Sequence, residues 1–289
     1  MIEVIFSPFV DYAFMQRALA GCLALSLGAT PIGVFLLLRR MSLMGDAMSH
    51  AILPGAALGY LAFGLSLGAM TVGGIVAGLA VAFSAGLVTR ASILKEDASL
   101  AAFYLLSLAL GVMIVSLRGR NIDLLHVLFG SVLALDDSSL LLISGISTLT
   151  LFGMALLSRP LVLECFDPAF LRSVAPRLSP VAHYGFLLLV VLNLVAGFHA
   201  LGTLMAVGIM VLPAASARLW AKGLPLLLVS AVAFAFSSGF FGLLLSYHAA
   251  VPAGPAIILM CGIVYFISLL VAPNGLLARY YPVRRHLES

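Results

Sequence analysis

An all-α protein that crosses a membrane many times is what this sequence predicts, and three observations predict it. Hydrophobic residues make up 63% of the 289 positions and charged residues only 9%, against about 25% charged in a soluble domain. The mean hydropathy is +1.20. Apolar runs of about 20 residues, the length a bilayer asks of a helix, follow one another from end to end. The length holds about eight to ten such spans and no separate soluble domain, so residues 1–289 read as one transmembrane domain.

Charges, glycines and prolines divide the chain into nine spans of about 20 residues. They cover 14–38, 48–65, 69–89, 98–117, 138–158, 181–198, 201–217, 224–247 and 255–272. Merging the sixth and seventh would give eight. Arg39, Arg40, Arg90, Lys95, Arg159, Arg172, Arg177, Arg218, Lys222, Arg279, Arg284 and Arg285 fall on one side of this topology; Arg17, Arg118 and Arg120 fall on the other. The rich side is expected to be cytoplasmic. The N-terminus is then outside, the C-terminus inside, and the net charge of +4 is a membrane-topology signal with no nucleic-acid partner implied. No cleavable signal peptide is evident; the first span is expected to direct its own insertion.

Residues 121–135 are too short for a comfortable span and suggest a short re-entrant or interfacial helix, with a tilted full span as the alternative. Small residues at four-residue spacing, Gly55/Gly59, Gly64/Gly68 and Gly74/Gly78, suggest close helix packing. Leu53-Pro54-Gly55-Ala56-Ala57 and Leu212-Pro213-Ala214-Ala215 form a weak echo running in opposite directions, as in an inverted repeat or by chance. Cys22, Cys165 and Cys261 are isolated and read as small buried hydrophobes.

The longest polar loop covers about 159–180. Within it Asp167-Pro168 reads as a helix start, the aspartate capping and the proline fitting the first turn. Residues 169–175 make about two turns, presenting Phe166, Phe170, Leu171 and Arg172 either to a partner or to lipid headgroups.

Between the first two spans lies the run Arg39-Arg40-Met41-Ser42-Leu43-Met44-Gly45-Asp46-Ala47-Met48-Ser49-His50-Ala51-Ile52-Leu53-Pro54-Gly55. Asp46 and His50 stand four residues apart, on one face if the segment is helical. A carboxylate with an imidazole suits Zn²⁺, Mn²⁺ or Fe²⁺, and ionisable groups inside a bilayer usually serve a function. The bland alternative is an Asp46 that caps the second span and a His50 that satisfies a buried hydrogen bond; Ser49 either orients one of the pair or is structural. His199 and His248 fall at outer ends and form a possible metal relay or are plain loop histidines. His126 is a poorer candidate, and His183 and His286 carry no signal. Asp11, Asp123, Asp136 and Asp137 are outer acids able to attract cations or contact a partner. No GxxxxGK[ST], GxSxG or HExxH is present, and acids are scarce inside the spans. Active transport would then draw its energy from another chain or from an ion gradient, and the scarcity of acids favours another chain.

The run 38–55 resembles the signature of the zinc/manganese/iron permeases of ATP-binding cassette (ABC) importers. Weaker matches follow in order: Leu128-Phe129-Gly130-Ser131, Phe166-Asp167-Pro168, 206–219 with Leu212 to Arg218, and 242–255. Similarity extends over 14–272. It implies a fold like the vitamin B12 and siderophore importer permeases without their first helix, in a bacterial cytoplasmic (inner) membrane. It also implies a permease dimer of two like chains or a paralogue pair, two cytoplasmic ATP-binding subunits and an extracytoplasmic metal-binding protein. Residues 166–168, with Phe170 and Arg172, would form the coupling helix. Asp46 and His50, doubled about a two-fold axis, would be a transient station for the transported ion. Zinc is the expected ion, manganese or iron the alternatives, and no cofactor stays bound. Permeation of a metal chelate, or a non-transporting membrane scaffold, are the competing functions.

Overall fold

The computed structural model describes residues 2–64, 66–93, 96–117 and 132–277. Helices account for almost all of it: α1 (Ile2–Asp11), α2 (Ala13–Leu38), α3 (Ser42–Phe63), α4 (Leu67–Ala91), α5 (Glu96–Leu117), α6 (Asp137–Phe166), α7 (Pro168–Val174), α8 (Leu178–Leu201), α9 (Thr203–Trp220), α10 (Leu224–Ala249) and α11 (Ala253–Val271). A 3₁₀ turn at Val132–Ala134 precedes α6. Among the described residues there is no strand. Each of the nine apolar runs becomes one helix, and among the described residues six helices are, by length and composition, long and apolar enough to cross a membrane. The expected re-entrant helix at 121–135 falls mostly outside the described residues, as do Asp123, His126, His286 and the 128–131 motif.

Burial places α2 and α8 at the centre: 78% and 67% of their most apolar windows are buried, against 22% for α6 and 28% for α11. The two largest of three apolar clusters fill most of the bundle. One joins Ile32, Phe35, Met48, Ile52, Phe186, Val190 and Met210; the other joins Met15, Cys22, Ile143, Leu243 and Ile257. A buried polar link crosses between α6 and α8. Asn193 donates through Nδ2 to Thr150 Oγ1 at 2.7 Å, while the Thr150 hydroxyl donates to the Ile146 carbonyl.

Glycine sets how closely α3 and α4 approach. A Cβ on Gly55 would lie 2.0 Å from the Gly73 carbonyl oxygen, and one on Gly73 would lie 2.1 Å from that of Gly55. Gly59 meets Ala69 in the same seam, and Gly74 and Gly78 pack on Ile52 and Val191. The Gly64/Gly68 pair does otherwise, since nothing lies within 4 Å of either Cβ position. Gly64 instead turns the chain out of α3 at φ 70°, ψ −152°, a region open to glycine alone. Gly202, at φ 81°, makes the sharp join between α8 and α9, so His199 lies in the last turn of α8.

Three boundaries differ from expectation. α1 precedes the first span. α3 begins at Ser42, six residues ahead of the expected start, because Met44 and Met48 are already core residues at 2% and 0% exposure. α6 runs through Arg159 and Pro160 to Phe166: Leu161 is fully buried, and the charge of Glu164 is met inside the protein by Arg39.

A candidate metal station on α3

The turn from α2 into α3 is built by hydrogen bonds that end a helix. The Arg40 N–H donates to the Leu37 carbonyl at 3.1 Å and the Met41 N–H to the Leu36 carbonyl at 2.9 Å, the paired bonds of a Schellman motif. The position that glycine usually takes is Arg40, at φ 58°, so the turn holds an arginine in the left-handed region at some cost. α3 starts two residues later. Asp46 is therefore inside the helix, about 6 Å along its axis, and His50 is about 12 Å along. This removes the reading of Asp46 as an N-cap.

Met44, Met48 and Ile52 hold one face of α3 in the core, which turns Asp46 and His50 to the other. Asp46 is 54% exposed and His50 23%. His50 Nε2 stands 3.8 Å from Asp46 Oδ1, longer than a hydrogen bond. Ligand atoms sharing an ion at about 2.0–2.2 Å stand about 3–3.5 Å apart, so a small rotation brings both onto one ion. The imidazole stacks on Tyr104 of α5, with centroids 6.2 Å apart and planes at 27°. Its Nδ1 is buried with no hydrogen-bond partner, which leaves Nε2 as the atom available to an ion. Pro54, one turn on, has no N–H to donate to the His50 carbonyl; Ser107 of α5 donates to the neighbouring Ala51 carbonyl at 3.2 Å. Ser49 orients neither partner: its hydroxyl donates to the backbone carbonyl of Asp46 at 2.7 Å.

Among the described residues no three of His, Cys, Asp and Glu gather as a metal site, so Asp46 and His50 stand there as a pair. His199 is engaged elsewhere. Its Nε2 lies 2.9 Å from Thr71 Oγ1, and the Thr71 proton already goes to the Leu67 carbonyl at 2.7 Å. Nε2 must then donate, tying α8 to α4. His248 lies exposed in the last turn of α10, edge-on to Tyr247. Two of the outer acids have local partners. Asp136 caps α6 by accepting from the Ser139 N–H at 3.0 Å and from the Ser138 hydroxyl. These bonds, that of Ser138 first, hold its carboxyl down at about 2, so it keeps its charge until the pH falls toward that value. Asp137 pairs with Arg17 at 2.8 Å.

α7 forms as its sequence implies. Asp167 Oδ1 accepts the Phe170 N–H at 2.9 Å, and Pro168 takes the first turn. Phe166 and Phe170 are exposed, at 76% and 50%, and Arg172 is exposed too. Leu171 leaves the expected face and is buried, pinning α7 to the bundle. Asp167→Ala is expected to remove about 0.5–2 kcal/mol of local stability, read as faster amide exchange over 168–174 with exchange in α8 unchanged.

Comparison with known proteins decides the family. Residues 11–272 match the ABC 3 transport family. The chain belongs to that family. It is 32% identical over 275 residues to the manganese import system permease protein ScaB of Streptococcus gordonii, covering 95% of this chain and 97% of that one. It is 32% identical over 285 residues to the manganese transport system membrane protein MntC of Halalkalibacterium halodurans, covering 98% and 96%. Among solved structures it resembles PsaBC from Streptococcus pneumoniae in complex with Fab, with a TM-score of 0.83 and 29% identity over 97% of this chain and 100% of that one. A metal-chelate type ABC transporter in an inward-facing conformation shares the fold, with a TM-score of 0.66 and 17% identity over 88% and 84% of the two chains. As a member of the ABC 3 family the chain is a multi-pass membrane permease subunit of an ABC importer.

Proposed function

We propose that this chain is the permease of an ATP-driven importer of a free divalent transition metal ion, with manganese ahead of zinc. The observation that carries the proposal is the Asp46/His50 pair, two ligand side chains within 3.8 Å on an open face of α3. One copy supplies two ligands, so a second copy facing it across a two-fold axis completes a site of two carboxylates and two imidazoles. Such a set is strong enough to admit an ion and weak enough to release it. Oxygen and nitrogen donors without thiolate suit Mn²⁺; the free cysteines Cys22 and Cys261 are buried away from the pair. The relatives named for manganese point the same way and move the expectation from zinc.

In this reading the Arg39 end of the bundle is cytoplasmic and the His199 end faces the extracytoplasmic binding protein. α7 presents Phe166 and Phe170 to one of two ATP-binding subunits, which hydrolyse the ATP. Closing of that pair rocks the two permeases, and the ion passes from the binding protein through the station to the cytoplasm.

Uptake of ⁵⁴Mn²⁺ and ⁶⁵Zn²⁺ into proteoliposomes holding the whole complex tests this. ATP-dependent ⁵⁴Mn²⁺ uptake is expected, displaced by less unlabelled Mn²⁺ than Zn²⁺. Displacement in the reverse order restores zinc as the cargo. Uptake only of a metal chelate overturns the free-ion reading.

A further inference from the structure

Arg39, Glu164 and His183 form a buried ionic cluster outside the candidate station. Arg39 Nη2 donates to Glu164 Oε1 at 2.8 Å and lies 3.0 Å from His183 Nδ1. That same Nδ1 is 3.3 Å from Glu164 Oε1. The three side chains are 8%, 7% and 14% exposed, and the guanidinium lies 5.0 Å over the Phe186 ring. Stability alone is a poor reason for such a cluster, because desolvation offsets most of the attraction in a buried ion pair. This one is also incomplete: Arg39 Nη1 and Glu164 Oε2 are buried without hydrogen-bond partners, and a half-satisfied polar network is outdone by apolar packing.

Its place in the fold suggests a different role. Glu164 stands three residues before Asp167, the cap of α7. His183 is in the second turn of α8, the helix after α7. The two therefore flank α7 in the chain, and one nitrogen, Arg39 Nη2, touches both. Arg39 ends α2 beside Arg40, whose left-handed backbone starts the turn into α3. Strain of this kind persists only where the surroundings hold it. A cavity of about 1170 Å³ adjoins the cluster, lined by Arg39, Arg40, Glu164, Arg172 of α7, His183 and Arg218. It leaves these side chains room to rearrange.

We propose that the Arg39–Glu164–His183 cluster carries movement of α7 into the α2–α3 turn and so to Asp46 and His50. The inference rests on the transporter reading above. These are positioning residues: they touch no ion and act on the station through the turn. When α7 shifts, Glu164 or His183 shifts with it, and the shared nitrogen draws Arg39 along.

The test is the ratio of ⁵⁴Mn²⁺ imported to ATP hydrolysed by the assembled complex in proteoliposomes. Glu164→Gln and Arg39→Met are expected to lower this ratio at least tenfold while hydrolysis continues, and the double variant to lower it no further. Arg39→Lys, which keeps one cationic nitrogen for both partners, is expected to restore most of it. If either neutral variant fails to assemble, Glu164→Asp, one methylene shorter, is expected to lower the ratio in the same way. An unchanged ratio in the variants that assemble, with uptake and hydrolysis falling together or not at all, overturns the proposal and leaves the cluster structural. Absence of both ⁵⁴Mn²⁺ and ⁶⁵Zn²⁺ uptake by the wild-type complex overturns the free-ion reading instead, so the two failures are distinct.

Discussion

Asp46→Ala and His50→Ala are each expected to reduce metal uptake by the assembled complex at least tenfold, toward the background of empty vesicles. Even groups that only support a metal's ligands cost about 10–100-fold when removed, and these two would be ligands themselves. The pair is held on a rigid element. Met44, Met48 and Ile52 anchor α3 from behind, and Tyr104 supports the imidazole from the side. Asp46 is neither a cap nor a core contact, so alanine there leaves the helix whole. His50→Ala loses one stacked ring and its buried nitrogen, a packing change that the complex should survive. The check is uptake of ⁵⁴Mn²⁺ beside gel-filtration profiles of each variant. Full uptake by both variants would end the station reading and leave α3 as a packing helix.

Gly55→Ala is expected to be among the most damaging small substitutions in the bundle. Its new methyl would lie 2.0 Å from the Gly73 carbonyl oxygen and 2.6 Å from the Ala77 methyl. The first neighbour is backbone, so no side chain can rotate aside; α3 and α4 must separate. Overpacking costs about 1–3 kcal/mol, and a clash with rigid backbone this close belongs at the upper end, above the roughly 1 kcal/mol that alanine gains over glycine in helix propensity. The separation also moves the helix that carries Asp46 and His50, so uptake should fall with stability. Gly68→Ala is the control, since nothing lies within 4 Å of its Cβ and the propensity gain stands alone. Thermal denaturation in detergent should put Gly55→Ala below wild type and Gly68→Ala at or above it. Equal melting of the two glycine variants would show that the α3–α4 seam is loose enough to absorb a methyl group.

The nine runs were readable because membrane helices satisfy their own backbone and need only length and apolarity. Local chemistry also placed α7, where aspartate and proline act within three residues of each other. Helix ends were harder. A charge ends a span in a hydropathy reading, yet α6 passes Arg159 because Leu161 is buried against the bundle and Glu164 finds Arg39. The Gly64/Gly68 spacing looked like a packing seam and is instead a turn and an open position.

Composition and short-range spacing thus settled the all-helical membrane fold, and the Leu38–Gly55 motif pointed to the family. They also put Asp46 and His50 on one helical face, since neighbours at i and i+4 need no distant partner. What awaited the folded chain was every pairing between remote segments. Arg39 and Glu164 are 125 positions apart, and neither residue's surroundings in sequence announce the other. Gly55 and Gly73 are ordinary glycines until two helices cross on them. Such contacts arise from the way the helices pack, which depends on all of their faces at once and leaves no mark at any single position.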